Sequence, residues 1–553
     1  MSHRLNLVPK LILLAPLFLL AAAPRPAGAQ AAQSPADRLV RAVDSTSYRA
    51  HLEFLASDLL EGRGTATRGG ALAAAYIATQ FERLGLKPAG DSGTWYHQVP
   101  IVALTPDPAL KANGAAPKAL TYRDDYVLWS MRNEPEVSFQ GGAVFVGYGI
   151  VAPEYHWDDY AGVDVKGKVV ICLVNDPGLK DSTIFRGKIL TYYGRWTYKI
   201  EEAARHGAAG ILMVHTTESA TYPWTAVASS WTGEQVRLEQ PPTSLIMAGW
   251  IKDTSAAALF AASGLDLDTL MSRSAVRGFK PVPLDFGFDA TIRSVVRRST
   301  TVNVLGRFEG AGPHHNETIL IGGHYDHFGI RTPVKGDSIY NGAEDNASGT
   351  AAVIAAAEAF VKSGVRPGRS ILFCAFGAEE SGLLGSQALA ARPPVPLRQM
   401  AAMLNMDVTN LHGRTRDIAV LGADQSSLGR IFAQAAKAEG LRVTINQDAL
   451  IRGSFFRSDH FPFARAGVPA LSVESGTDFL GHPAGWGAEQ AEKYTEERYH
   501  QPQDEMLPWF SMAGTVQQIR VILRTAMAVG AAAGQPTWSA TSEFHAAGEK
   551  RLQ

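Results

Sequence analysis

Histidine and acidic side chains recur in five short segments in the second half of the chain, and their types are those of metal ligands. The segments are His324-Tyr325-Asp326, Asn341 to Gly349, Glu379-Glu380, Asn405-Met406-Asp407 and Tyr499-His500. Neutral imidazole and carboxylate oxygens suit zinc and similar divalent ions. Two such ions about 3.5 to 4 Å apart can share one carboxylate and one water, whose pKa then approaches about 7. The ordered set therefore predicts a two-metal hydrolase centre.

The adjacent pair Glu379-Glu380 offers two different functions. A centre that activates water also needs a free carboxylate, which takes the proton and passes it to the leaving amine. In such a pair one member can bind metal while the other, held nearby, acts as general base.

Alternating strands and helices are predicted beyond Arg293. The predicted strands are Ile319 to Gly323, Ser370 to Phe376, Ala402 to Met406 and Pro469 to Val473, and the helices are Gly349 to Val361, Gly382 to Ala391, Leu428 to Ala438 and Ser511 to Ala533. This alternation indicates a mixed α/β fold with a largely parallel central sheet sandwiched by helices. Functional residues of open α/β sheets gather at the carboxyl ends of the strands. We therefore expect the candidate residues to converge there.

The N-terminal part is predicted to be helical. An apolar stripe begins after Ser45 and comprises Leu52, Leu55, Ala56, Leu59 and Leu60. A second helix is predicted from Ala71 to Leu84, and the segment Glu61 to Thr65 between the two helices is predicted to be a loop.

The ordered motifs resemble those of the zinc-dependent exopeptidases of the aminopeptidase and glutamate carboxypeptidase type, whose catalytic domain often carries an inserted protease-associated domain. The resemblance rests on Gly323 to His327, Tyr340 to Gly349, Gly377 to Gly382, Asn405 to Asp407, Ser458-Asp459-His460 and Tyr499 to Pro502, and it extends from about Ser45 to Gly534. The metal ligands that it implies are His324 and Asp407 for one ion, Glu380 and His500 for the other, and Asp345 as the bridge.

The resemblance also implies catalytic roles beside the ligands. Glu379 is expected to be the general base and proton shuttle. Asp326 is expected to hydrogen-bond His324 and fix its ring. Tyr499 is expected to donate a hydrogen bond to the oxyanion.

The chain departs from its relatives at one position in this set. Relatives often have Asp-Asp where this chain has Glu344-Asp345. The register therefore rests on the following Asn346 to Gly349, which assigns the bridge to Asp345 and leaves Glu344 beside the metal site without binding metal.

The segment from Asp107 to Thr291 resembles the inserted protease-associated domain and is expected to be β-rich. It has no constellation of acids and histidines, so we expect it to shape access to the cleft. The expected division of the chain is a signal peptide at 1–29, the N-terminal part of the peptidase domain at 30–106, the insert at 107–291, the main catalytic domain at 292–537 and a loosely held polar tail at 538–553.

The first residues are typical of a secretory signal. A basic start precedes an apolar run from Leu11 to Ala23, and Ala27-Gly28-Ala29 fits a cleavage site. A bilayer span needs about 20 apolar residues, and Pro16 interrupts this shorter run. A lipoprotein anchor would need a cysteine after the cleavage site, whereas Cys172 and Cys374 are the only cysteines. We therefore expect a periplasmic or secreted protein without stable membrane insertion.

Composition excludes several classes of protein. Of the 553 residues, 46% are hydrophobic and 19% are charged, which is typical of a soluble globular enzyme. The formal net charge of -1 gives no electrostatic reason to expect nucleic acid as a partner.

We expect an exported metallo-exopeptidase with two Zn²⁺ per chain, for which Co²⁺ or Mn²⁺ can substitute. The resemblance favours an aminopeptidase, in which metal-bound hydroxide attacks the peptide and a glutamate is the base. A carboxypeptidase of the same fold is the first alternative and would need a cation such as Arg452 or Arg457 for the terminal carboxylate. A glutaminyl cyclase and a non-catalytic binding protein are the further alternatives.

Overall fold

The computed structural model describes residues 1–2, 33–115, 118–239 and 243–553, so nearly all of the predicted signal segment lies outside the described residues. The N-terminal helices are α1 Pro35–Arg41, α2 Ser45–Leu55 and α3 Arg68–Arg83. Asp44 caps α2 by accepting hydrogen bonds from the main-chain N–H groups of Thr46 and Ser47. The predicted apolar stripe is wrong at Leu59, which is 72% exposed because α2 ends at Leu55.

Residues 87–308 are rich in strands. The strands are β1 Lys87–Pro88, β2 Tyr96–Gly114, β3 Lys118–Ala119, β4 Tyr126–Ser130, β5 Glu136–Phe145, β6 Val151–Ala152, β7 Trp157–Asp158, β8 Val169–Leu173, β9 Gly210–His215, β10 Gln235–Leu238, β11 Met247–Lys252 and β12 Val282–Phe308. The helices are α4 Trp196–Arg205, α5 Thr217–Ala220, α6 Trp224–Ser230, α7 Asp253–Ala262 and α8 Leu267–Ser274.

Strands and helices alternate in the remaining residues. The strands are β13 Thr318–His324, β14 Gly329–Val334, β15 Asp337–Tyr340, β16 Ser370–Phe376, β17 Met400–Met406, β18 Asp417–Leu421, β19 Arg442–Thr444 and β20 Ala470–Glu474. The helices are α9 Ser348–Ser363, α10 Leu384–Ala391, α11 Ser427–Ala438, α12 Gln447–Ile451, α13 His460–Arg465, α14 Trp486–Glu497, α15 Ala513–Ala531 and α16 His545–Leu552.

The C-terminal half of the sheet has the order β19-β18-β20-β17-β13-β16-β12. Its central strands are parallel, since β13 pairs with β16 and β17, and β17 pairs with β20, in the same direction. Strands β12 and β18 pair antiparallel with their neighbours β16 and β20. The predicted mixed, largely parallel sheet is confirmed.

Helices cover both faces of this sheet because successive side chains of a strand point to opposite faces. Ile319 and Ile321 of β13 belong to a hydrophobic core with helices α2, α9 and α15. Leu320, between them, belongs to a second core with α10 and α13. The predicted sandwich of helices around the sheet is therefore present.

Two long strands connect the strand-rich segment to this sheet. β2 pairs antiparallel with β12 from Tyr96 opposite Val304 to Gly114 opposite Phe286. Beyond them β5, β8, β9 and β11 pair in parallel, and β4 pairs antiparallel with β11. The expected boundaries near residues 107 and 291 fall inside β2 and β12, where Asp107 lies opposite Arg293.

The expectation of a loosely held tail is wrong. Trp538 and Phe544 are 5% and 3% exposed, and they pack into the core around α13. Arg551 of α16 donates hydrogen bonds to the carbonyl oxygens of Gly467 and Met400. Polar composition concealed these contacts because the arginine binds main-chain acceptors that only the fold brings near.

In the described ranges, the helices lack the combination of length and apolar character that is needed to cross a membrane. Cys172 and Cys374 are both buried and are not joined to each other.

Candidate two-metal active site

The predicted ligands lie at the carboxyl ends of neighbouring strands. His324 is the last residue of β13, Glu379 and Glu380 follow β16, and Asp407 follows β17. Asp345 lies in the segment between β15 and α9, and His500 follows α14. Because β13, β16 and β17 are parallel neighbours, their ends meet at one edge, and the structure brings all these side chains together there.

The two carboxylate oxygens of Asp345 face two different histidines. Oδ1 lies 3.2 Å from Nε2 of His324, and Oδ2 lies 3.3 Å from Nε2 of His500. Asp407 Oδ1 completes the first group at 3.3 Å from His324 Nε2. Glu380 Oε2 completes the second group at 3.5 Å from His500 Nε2. Asp345 is therefore shared by two donor groups, each of which also has one histidine and one other carboxylate.

This donor set fits divalent cations. Ligand atoms of His324, Glu379 and Asp407 lie within 4.8 Å of one another, and so do those of His324, Asp345 and Glu380. Imidazole nitrogen and carboxylate oxygen are the ligand types that zinc accepts. A carboxylate shared between two ions is the arrangement of two-metal hydrolytic sites.

The carboxylates concentrate negative charge in a buried place. Burial raises the pKa of Glu379 well above its usual range, and the neighbouring Glu380 carboxylate contributes to the increase. Burial, with the Asp345 carboxylate, raises the pKa of Glu380 to about 8. Burial disfavours the charged form of His324, but the carboxylates of Glu379 and Asp407 raise its pKa well above the usual value. A bound cation would offset this charge.

Without bound metal, the stability of the protein is expected to decrease as the pH rises. The folded protein holds the proton of Glu380 up to a pKa of about 8, whereas the unfolded chain releases it near the ordinary value of 4.5. The folded state therefore binds more protons in this window, and the free energy of unfolding falls as the pH rises through it. Chelator-treated protein should melt at a lower temperature at about pH 8 than at about pH 5.5, and added zinc should remove most of the difference. A melting temperature of the chelated protein that is independent of pH would contradict this expectation.

Asp326 contacts His324 through its main chain. The carbonyl oxygen of Asp326 lies 3.1 Å from His324 Nδ1, while the carboxylate Oδ1 is 4.0 Å away. The carboxylate accepts hydrogen bonds from the main-chain N–H of Glu379 and from the hydroxyl of Thr65, both at 3.0 Å. Asp326 thus joins the imidazole of one predicted ligand to the backbone of the predicted base.

Asp504 holds the segment that carries the bridging carboxylate, and the sequence prediction missed it. Its Oδ1 and Oδ2 accept hydrogen bonds from the main-chain N–H groups of Glu344 and Asp345, each at 3.0 Å. Arg63 holds the same segment from the other side by donating to the carbonyl oxygens of Asn341 and Gly342 at 2.5 and 2.9 Å. The only signals in the sequence were an acid four residues after His500 and an arginine in a glycine-containing loop.

Glu344 points to cations rather than to the metal ligands. Its carboxylate forms an ion pair with Arg498 and lies 3.4 Å from His412 Nε2. Arg498 also lies over the rings of Tyr494 and Trp509, at 5.1 and 5.4 Å from their centroids. This buried pair links the residue before Asp345 to the segment that carries His500.

Two further side chains orient predicted ligands. His327 Nδ1 lies 2.7 Å from Glu380 Oε1. The hydroxyl of Ser458 donates to Asp407 Oδ2 at 2.6 Å, which gives the Ser458-Asp459-His460 motif a contact at the site. Such partners of ligating groups typically change metal affinity about 10- to 100-fold when they are removed.

Tyr499 lies beside the second donor group. Its ring stacks on that of His500 with centroids 3.7 Å apart, and the residue is 41% exposed. A tyrosine phenol keeps its proton at neutral pH because its ordinary pKa is about 10. Its hydroxyl is therefore able to donate a hydrogen bond.

Known proteins match this part of the chain. The pattern of peptidase family M28 matches residues 303–525. Leupeptin-inactivating enzyme 1 of Streptomyces exfoliatus is 27% identical over 227 residues, which are 40% of this chain and 47% of that protein. Leucine aminopeptidase 1 of Metarhizium robertsii is 33% identical over 175 residues, which are 30% of this chain and 43% of that protein. The chain thus spans less than half the length of these two curated relatives.

Among solved structures, an aminopeptidase from Aneurinibacillus sp. strain AM-1 aligns with 90% of this chain and 97% of its own, at 20% identity and a TM-score of 0.46. The predicted metal ligands, the predicted base and Tyr499 all lie within the segment that the family pattern matches. Residues 303–525 of the chain are thus similar to peptidase family M28.

Proposed function

We propose that this protein is a two-zinc aminopeptidase that releases N-terminal residues from peptides. The observation that carries the proposal is the position of Asp345, whose two oxygens lie 3.2 and 3.3 Å from the histidines of two donor groups. The family pattern over residues 303–525 and the similarity to leucine aminopeptidases support the same activity.

His324 and Asp407 are proposed to hold one ion, Glu380 and His500 the other, and Asp345 both. When bound, the two ions would supply Lewis acidity that polarises the scissile carbonyl and makes water a stronger acid. Asp326, Ser458 and His327 keep the ligand side chains in place by the hydrogen bonds described above. The site therefore needs little rearrangement to bind metal.

Glu379 is proposed to move the proton. Its Oε2 lies 3.9 Å from His324 Nε2, and its main-chain N–H is held by Asp326. A carboxylate in this position is able to take a proton from the attacking water and give it to the leaving amine. Tyr499 is proposed to donate its hydroxyl proton in a hydrogen bond to the oxygen that becomes negative during attack.

The strand-rich segment at 107–291 is proposed to be a protease-associated domain that shapes access to the cleft. Ion pairs between Arg186 and Asp424 and between Arg465 and Glu201 join it to the catalytic part. These contacts favour a fixed wall of the cleft. We further propose export, on the basis of the composition of residues 1–29.

A peptide panel tests the proposed activity. We expect leucyl peptides with a free N-terminus to be cleaved whether or not their C-terminus is amidated, and N-acetylated peptides to be left intact. Activity should disappear with chelator and return with about two zinc ions per chain. Cleavage of N-acetylated peptides from a free C-terminus would favour the carboxypeptidase, and cyclisation of N-terminal glutamine with one zinc per chain would favour the cyclase.

A further inference from the structure

The hairpin of β14 and β15 carries a guanidinium beside the predicted metal site. The Cζ atom of Arg331 lies 4.1 Å from the centroid of the Phe328 ring. The Phe328 ring meets the His500 ring edge-on, with centroids 4.6 Å apart. The sum of these two distances is the largest separation that Cζ of Arg331 can have from the ring centroid of His500, a predicted metal ligand. Arg331 is thus within reach of a molecule bound at the site.

The guanidinium is held at one end and open at the other. Nε of Arg331 donates a hydrogen bond to the carbonyl oxygen of Phe328 at 3.2 Å, and its Cζ lies over the Phe328 ring. Within the described residues, the terminal amino groups have no hydrogen-bond partner and no carboxylate forms an ion pair with them. The negative charge of Glu380 favours the charged form of Arg331, but its carboxylate oxygens already face His327 Nδ1 and His500 Nε2. Two free amino groups of one guanidinium match the two oxygens of a carboxylate.

The positive charge of Arg331 and the length of each substrate residue determine which part of a bound peptide it can contact. The free N-terminal ammonium of an aminopeptidase substrate is repelled by a guanidinium, which favours the leaving-group side of the substrate as the part near Arg331. One extended residue spans about 3.3 to 3.6 Å, and a guanidinium–carboxylate hydrogen bond about 2.7 to 2.9 Å. A carboxylate bound to Arg331 would therefore lie one or two residues beyond the scissile bond.

We propose that Arg331 is a specificity residue that binds a substrate carboxylate one or two residues beyond the scissile bond. This inference rests on the proposed aminopeptidase function and narrows its substrates. The carboxylate is either the free C-terminus of a dipeptide or tripeptide or an acidic side chain at the corresponding position. Short peptides and acidic peptides are then preferred over neutral amides.

The test compares wild type and Arg331→Gln on leucyl-glycine, leucyl-glycyl-glycine, leucyl-aspartamide and the neutral leucyl-glycinamide, with kcat/KM for leucine release as the readout. We expect Arg331→Gln to lower kcat/KM roughly tenfold for a carboxylate-bearing substrate, as loss of one charged hydrogen bond implies, and to leave the neutral amide unchanged. A loss on leucyl-glycine or leucyl-glycyl-glycine identifies the C-terminal carboxylate as the group bound, and a loss on leucyl-aspartamide identifies the side chain.

Lys335→Gln is the matched control, because Lys335 lies on the same hairpin, in the turn between β14 and β15. It removes the same charge and should change none of these rates. Equal losses on all the substrates, or no loss on any carboxylate-bearing substrate, would overturn the subsite. Failure of the wild type to release leucine from any of them would instead overturn the proposed function.

A binding measurement provides a readout that does not depend on turnover. Calorimetry compares Glu379→Ala with the double variant Glu379→Ala/Arg331→Gln. The added Arg331→Gln should weaken the affinity for leucyl-glycine and leave the affinity for leucyl-glycinamide unchanged. If leucyl-aspartamide alone loses rate, the same titration is made with that peptide. If Glu379→Ala and the double variant Glu379→Ala/Arg331→Gln bound the carboxylate peptide with the same affinity, the proposal would be contradicted.

Discussion

Replacing Glu379 with alanine is expected to leave the bound metal in place and to lower kcat by about 10²- to 10⁴-fold, the usual contribution of a general acid–base group. The physical reason is that this carboxylate lies beside the ligands but farther from His324 Nε2, with Oε2 at 3.9 Å, than the carboxylates of Asp345 and Asp407 at 3.2 and 3.3 Å.

Measuring kcat together with metal content separates this role from a ligand role. Ser381→Ala is the matched control, since Ser381 lies in the same loop and its hydroxyl donates a long hydrogen bond to the hydroxyl of Thr65, at 3.4 Å. It should retain both metal and activity. Near-normal turnover in Glu379→Ala would remove the residue from the mechanism, and loss of metal would make it a ligand.

The neighbouring variants Asp345→Asn and Glu344→Gln should behave in opposite ways. Asp345→Asn turns one of the two oxygens that face His324 and His500 into an N–H group, which cannot bind a cation. Metal affinity should fall by more than about 10²-fold, the upper range for loss of a group that only supports a ligand. Activity should be lost with the metal.

Glu344→Gln should keep metal and most activity but destabilise the fold. Its carboxylate is 3% exposed and pairs with Arg498, so the amide leaves that guanidinium without its charge partner. Loss of one partner of a buried ion pair costs about 3 to 5 kcal/mol. Metal analysis after dialysis and thermal melting of both variants test the register of this segment. If Glu344→Gln lost metal and Asp345→Asn kept it, the bridge would be assigned to the wrong residue.

The parallel strands were predictable because they are buried on both faces. Such strands are continuous apolar runs, and the prediction for Ser370 to Phe376 matches β16 residue for residue. The convergence of His324, Glu380 and Asp407 followed from the same strands, since parallel neighbours end at one edge.

The long strands β2 and β12 were harder to predict because prolines and glycines interrupt their sequences, and these residues are typical of loops. Asp504 and Arg63 were missed for another reason: they bind main-chain groups of a segment far away in sequence. No residue type or spacing near either side chain indicates that it binds a distant main-chain group. Leu59 was misplaced because apolar spacing continues past the end of α2, while the helix does not.

The course of β12 has a consequence for the smallest piece of this protein that can fold. The family pattern begins at residue 303, inside a strand that runs from Val282 to Phe308. It also leaves out α2, whose Leu52 is buried in the core beneath α9. A fragment cut at the family boundary would expose that core and shorten the strand that pairs with β16. The segment that the family shares in sequence is therefore shorter than the segment that we expect to fold on its own.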